Sequence, residues 1–336
     1  MNILLTGATG FLGQYLVKYF SKHFSTVYVL TRKDTELSES QFSHFGNVVL
    51  LKGDITHFDV LTIDENKRSK ILSQIDIVVH AAALYDLKAS YSDCFLQNVV
   101  GTQNILHLLK SMSRLKAFYA ISTIAVGDPT TYFLDENTLP ARSIFEDSYS
   151  ATKYQAEQLI RENLSKKFVT RIIRPGIIIG DSSGSKMPKT DGPYYFLEAI
   201  KKHIGLIKKL PFIPLSFNPK AKIPLIPVDH CARFIDLLIS RDKFENQIKT
   251  YHLISNDLPN LKEFLADVKI KFGLKAEFIP FKKNKIHDSI LKIAGIPKEV
   301  LPFMFSKLSY DKSSTLEDLP EIEESTYSDF KKILFQ

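Results

Sequence analysis

Within its first two dozen residues the chain commits itself to one kind of fold. An apolar run at residues 2–6 passes without a linker into TGATGFLG, residues 6–13, and that into a stretch with helical apolar spacing. A strand that turns on glycine straight into a helix opens a βαβ unit. Gly7 lets the strand end in a tight turn, Gly10 lets backbone approach a pyrophosphate, and Gly13 lets helix and sheet pack closely. The helix start then offers free N–H groups to phosphates. Gly7, Thr9, Gly10, Phe11, Leu12 and Gly13 are therefore candidate cofactor-binding residues.

The same alternation continues for half the chain. β-Branched runs predict strands at 2–6, 26–31, 47–52, 75–80, 115–121 and 168–174, with helices at 11–23, 66–73, 94–110 and 149–164 between them. This pattern predicts an α/β fold: a Rossmann-type doubly wound parallel sheet over residues 1–180. After Pro175 the texture changes. Residues 181–193 are rich in Ser, Gly, Pro, Asp and Lys, and residues 205–227 hold five prolines among apolar residues. Residues 181–336 are expected to form mainly a smaller C-terminal substrate-binding cap. A helix at 229–240, a strand at 250–254 and a helix at 260–272 follow, and the elements near 225–255 are expected to return to the main domain.

Composition removes several alternatives. With 44% hydrophobic and 24% charged residues the chain is an ordinary globular protein. Cys94 and Cys231 stand far apart, which excludes a disulfide framework and a cysteine-rich metal site, and no metal is expected. The net charge of +7 is spread along the chain without a nucleic-acid-binding motif, so nucleic acid is not an expected partner. No stretch reaches the roughly 18 apolar residues of a membrane span, leaving peripheral contact as the only membrane option. Without a leader pattern at Met1, a cytoplasmic location is expected.

The GxxGxxG spacing of TGATGFLG resembles the opening of extended short-chain dehydrogenases/reductases, the NAD-dependent epimerase/dehydratase superfamily, and the likeness runs to about residue 240. The resemblance implies that Asp54 and Ile55 in GDIT meet the adenine. It implies that His80, Ala81 and Ala82 in VVHAAA wall the nicotinamide side, and that Asn98 in NVVGTQNIL belongs to the catalytic set. Arg174, Pro175 and Gly176 in RPGIIIG match the segment lining nicotinamide and substrate.

Tyr149 and Lys153 in YSATKYQAE resemble the family's YxxxK, which implies that they carry the chemistry. Four residues apart on a helix, they share one face. A free tyrosine titrates near 10, and a neighbouring positive charge favours its phenolate. Within the family the lysine also holds the nicotinamide ribose, so both residues count as catalytic and cofactor-binding. The third member comes from AISTIAVG. Thr123 aligns best with the family's catalytic hydroxyl, which would hydrogen-bond the substrate oxygen. Ser122 is the competing assignment and otherwise a cofactor neighbour.

At the end of the second predicted strand, VYVLTRKD has uncharged Thr31 where an NAD-binding site would place an acid. Arg32 and Lys33 suit a 2′-phosphate instead, which favours NADP(H) over NAD(H). Several segments most resemble the thioester and fatty acyl reductase branch, implying an apolar substrate linked to coenzyme A or an acyl carrier. Residues 201–222 add six lysines and no acid among apolar residues, suited to such a substrate, to an anionic membrane, or to a plain solvated surface. The leading expectation is NADPH-dependent reduction of an acyl thioester or related apolar carbonyl. The alternatives are a hydroxysteroid- or dihydroflavonol-type ketone reductase or alcohol dehydrogenase, and a non-catalytic dinucleotide sensor. Family members often pair as homodimers through the helices holding Asn98 and Tyr149.

Overall fold

The computed structural model describes residues 1–32, 40–86, 89–127, 132–141, 144–184, 192–215, 217–280 and 304–335. Its central sheet has seven strands: β1 (Asn2–Thr6), β2 (Thr26–Thr31), β3 (Val48–Lys52), β4 (Ile77–His80), β5 (Ala117–Ile121), β6 (Val169–Pro175) and β7 (Ile248–Leu253). All pair in parallel, in the order β7-β6-β5-β4-β1-β2-β3. The chain winds outward from β1 to β3, then crosses back to lay β4 on the other side of β1. That reversal opens a crevice at the C-terminal strand ends, where Gly7, Ala81, Ser122 and Gly176 follow their strands.

The longer helices among the described residues are α1 (Phe11–His23), α2 (Glu65–Leu72), α3, α4 (Ser148–Glu162), α5 (Pro193–Lys202), α6 (Val228–Arg241), α7 (Leu261–Phe272) and α8 (Tyr327–Leu334). Here α3 joins Tyr91–Cys94, a π-helical stretch Phe95–Val100 and Gly101–Leu109. The sequence pattern predicts its start at residue 94. It begins at Tyr91 because the Ser90 hydroxyl accepts from Asp93 N at 3.1 Å and caps it.

Both faces of the sheet are covered, which is why its central strands read as unbroken apolar runs. Period-two alternation sends Ile3 and Leu5 to one side, against Leu16 and Phe20 of α1 and Phe234 and Leu238 of α6. Leu4 and Val78 point to the other, against Ile105 and Leu108 of α3 and Ile160 of α4. A separate cluster joins Leu197 and Ile200 of α5, Phe264, Leu265 and Val268 of α7, and Phe330 and Ile333 of α8. Residues 228–253 belong to the main sheet and its helical cover, since β7 extends β6. Among the described residues no helix is long and apolar enough to cross a membrane.

Candidate active site

The turn after β1 works only with glycine. Gly7 has φ +77°, and a Cβ on it would lie 2.6 Å from Ala82 N. A Cβ on Gly13 would lie 2.0 Å from Gly7 O, so α1 packs directly on the turn. With glycine as N-cap, no side chain caps α1. The donors of its first turn therefore face the crevice, a cradle fitted to a dinucleotide pyrophosphate.

A cavity of about 520 Å³ runs from this turn past the ends of β4, β5 and β6. Gly7, Gly10, Phe11, Leu12, Gly13, Ala81, Ser122, Thr123, Tyr149, Lys153, Pro175 and Gly176 all line it. Its far end is apolar, walled by Phe196, Ile223, Leu261, Phe264, Leu265 and Met304. Ser150 lines it too, and its buried hydroxyl has no hydrogen-bond partner among the described residues.

Tyr149 and Lys153 stand on successive turns of α4, which Asp147 caps by accepting from Ser150 N at 2.7 Å. Lys153 is buried and donates to Ile121 O at 2.7 Å. Burial lowers its pKa to about 8, with the nearby Glu157 carboxylate pulling the other way. The Tyr149 ring meets Tyr85 edge-on at 4.6 Å between centroids. Thr123 accepts from Ala125 N at 3.1 Å, which leaves its hydroxyl proton to be donated. Ser122 instead donates to Glu157 at 2.7 Å, so of the two competing hydroxyls Thr123 is the one not committed to the interior.

His80 lies behind the cavity wall. Its Nε2 meets Thr102 Oγ1 at 3.2 Å, and Thr102 in turn donates to Asn98 O at 2.6 Å, so Nε2 carries the proton. Nδ1 then accepts from Thr6 Oγ1 at 2.8 Å, and Thr6 accepts from Ala82 N at 3.2 Å. Burial and then the Lys153 charge push the His80 pKa down to about 3, keeping the ring neutral. His80 and Ala82 thus shape the wall that Ala81 presents.

Two expected site residues direct their side chains at other parts of the protein. Asn98 spends its amide on Leu84 N (2.8 Å), Leu84 O (3.3 Å) and Thr152 Oγ1 (3.0 Å), clamping the segment after β4 to α4. Both of its side-chain N–H groups are thereby used within the protein. Arg174 spends all five N–H groups internally: two on Glu157, and one each on Asp135 O, Thr138 O and His252 Nε2. Its side chain turns into the protein, while Pro175 and Gly176 face the cavity.

The remaining described candidates do not line the cavity. Arg32 is exposed after β2, 3.4 Å from Gln97 Oε1. Asp54 accepts from Thr56 N and Oγ1, each at 2.9 Å; burial opposes but does not cancel the lowering of its pKa by those bonds and by the Arg32 charge. Ile55 is buried beneath Gly101, its carbonyl accepting from Asn104, and Thr9 is exposed on the turn. Lys33 lies outside the described residues.

Sequence reasoning passed over Glu157, which binds Ser122, Arg161 and Arg174 in full burial. Its signal was present: a carboxylate one turn beyond Lys153 on the same helix face. The apolar wall from α5, α7 and Met304 had no comparable signal, since its members are drawn from separate segments spread over more than 100 residues of the chain.

The family model described as male sterility protein matches residues 5–235. Over 321 residues the chain is 24% identical to L-2-aminoadipate reductase of Saccharomyces cerevisiae, an alignment covering 85% of this chain and 22% of that enzyme. It thus spans about a fifth of that relative. A farnesyl dihydroquinoline-1-oxide ketoreductase of Stigmatella aurantiaca is 28% identical over 192 residues, covering 56% of this chain and 54% of its own. In three dimensions the terminal R domain of the myxalamid PKS-NRPS pathway matches with a TM-score of 0.76 at 23% identity, over 99% of this chain and 90% of that domain. With the glycine cradle, the reversed strand order and a family match over most of its length, this chain belongs to the male sterility protein family and has a Rossmann-type dinucleotide-binding fold.

Proposed function

We propose that the chain uses NADPH to reduce an acyl thioester, or a related apolar carbonyl, to the aldehyde level. The observation that carries this reading is the cavity joining the glycine cradle, the Tyr149–Lys153–Thr123 group and a mainly apolar far end. An acyl chain fills such an end while its carbonyl lies among the polar groups.

The bound cofactor supplies a hydride to the carbonyl carbon. Thr123 donates its hydroxyl proton as a hydrogen bond to the carbonyl oxygen, where negative charge develops. Tyr149 passes its phenolic proton to the same oxygen, and the Lys153 ammonium steadies the phenolate left behind. The resulting hemithioacetal breaks its C–S bond, the sulfur leaves as a thiol with a proton, and an aldehyde remains. One thioester, one NADPH and one proton give one aldehyde, one thiol and NADP+. The preference for NADPH rests on Arg32, whose exposed guanidinium at the end of β2 suits a 2′-phosphate.

A panel of acyl-coenzyme A and acyl-pantetheine thioesters, ketones and secondary alcohols, followed at the nicotinamide absorbance with both cofactors, tests this. Tyr149→Phe should lower turnover by about 10²–10⁴-fold while still binding NADPH. Turnover of ketones alone would favour the second reading, ketone reduction, which the likeness to the Stigmatella ketoreductase supports. Unchanged turnover in Tyr149→Phe would remove the proton-donor assignment.

A further inference from the structure

Between Ala199 and Val228 the chain carries six lysines and no aspartate or glutamate. Lys201, Lys202, Lys208 and Lys209 are exposed and make no ion pair among the described residues. Large apolar side chains stand among them: Leu206 is 64% exposed and Phe212 50%. Single exposed apolar residues need no explanation, but a concentration of them within one like-charged segment does.

Strand geometry sorts the apolar residues that follow these lysines in the chain. The short strand Phe212–Leu215 pairs in parallel with Glu277–Pro280, setting Ile279 opposite Pro214. Alternation puts Phe212, Pro214 and Ile279 outward, where all three are exposed, and Ile213 and Phe278 inward. The inward ring of Phe278 lies 6.0 Å from that of Phe196, which lies 6.2 Å from Phe264. Phe196 and Phe264 wall the apolar end of the cavity. The exposed face is therefore the outer skin of the same layer whose inner skin receives the apolar substrate. Lys269 pairs with Glu277, the acid on this outer strand face, and so neutralises it.

We propose that this face seats the protein peripherally on an anionic phospholipid surface. Leu206, Leu210, Phe212 and Ile279 enter the boundary between headgroups and acyl chains, and the lysines meet the phosphates. A bilayer supplies both halves of the complement at once, an apolar layer beneath a plane of negative charge. It tolerates any spacing of lysine heads on flexible stems, whereas an acidic protein would have to match that spacing.

Co-sedimentation of the full chain with vesicles tests this without any turnover, so its outcome is separable from that of the reduction assay. The chain should bind phosphatidylcholine–phosphatidylglycerol vesicles, lose them as salt rises, and ignore vesicles of phosphatidylcholine alone. The double variant Lys208→Glu/Lys209→Glu should weaken binding by about tenfold or more, at about fivefold for each lysine at the surface. Leu206→Ser/Phe212→Ser should weaken it independently, and both variants should keep wild-type circular dichroism and turnover of a short water-soluble substrate. No binding to the anionic vesicles, or binding that neither variant reduces, overturns the proposal. So does a charge-reversal variant that loses only turnover of a carrier-protein-bound substrate, which would make this face a protein dock.

Discussion

Replacing Glu157 by glutamine removes one negative charge from the interior while keeping its shape. The carboxylate is fully buried and accepts from Arg174, Arg161 and Ser122. Burial pushes its pKa up, but the guanidinium charges of Arg174 and Arg161 and their hydrogen bonds outweigh this and bring it to about 2 from an ordinary 4.5. That gap corresponds to about 3 kcal/mol of stability. Because the folded pKa is the lower one, this stabilisation is present above pH 4.5 and is lost as pH falls through about 2. Breaking a buried pair also strands its partner, here Arg174 at 0% exposure, a cost of about 3–5 kcal/mol. Both routes lead to a loss of at least about 3 kcal/mol for Glu157→Gln at pH 7, measured by denaturant unfolding, with the difference from wild type narrowing in acid. A second readout separates this from simple loosening. The Glu157 charge holds up the pKa of Lys153, which burial has lowered to about 8, so the variant's lysine should lose its proton earlier. The alkaline limb of the pH–rate profile should then move to lower pH. An unfolding free energy within about 1 kcal/mol of wild type, or a limb that stays in place, would refute this account of the network.

Two further outcomes are expected. Gly13→Ala sets a Cβ 2.0 Å from Gly7 O and 2.7 Å from Ala8 Cα, both backbone, so it should cost about 1–3 kcal/mol or more and abolish NADPH binding by calorimetry; retained affinity would show that the turn opens freely. Arg32→Asp should weaken NADPH binding by about tenfold or more, the worth of a charged hydrogen bond, and spare NADH; equal losses for both in a fluorescence titration would exclude Arg32 from the 2′-phosphate.

Much of the fold and part of the candidate site are legible in the sequence because their signals are local. Backbone geometry and side-chain periodicity act over a few residues, so TGATGFLG, the alternating strands and the Tyr149–Lys153 spacing can be read in place. The exact start of α3 is less legible, since it depends on whether Ser90 reaches back to cap it. The side-chain contacts of Asn98 and Arg174 are not legible at all. Their residue types suit a site, but only the positions of Leu84 and Thr152 for one, and of Glu157, Asp135, Thr138 and His252 for the other, use up their donors.

By itself, then, the sequence determined that a glycine turn would cradle a dinucleotide at the head of a parallel sheet, and that a tyrosine and a lysine would share a helix face. Only the tertiary structure decided that Thr123, not Ser122, keeps a free proton, that Glu157 ties β5, β6 and α4 together, and that α5, α7 and Met304 close the far end of the cavity in apolar side chains. The physical reason is distance along the chain. Hydrogen-bond saturation and cavity shape depend on contacts between residues tens to hundreds of positions apart, and no local pattern encodes which donor is already taken.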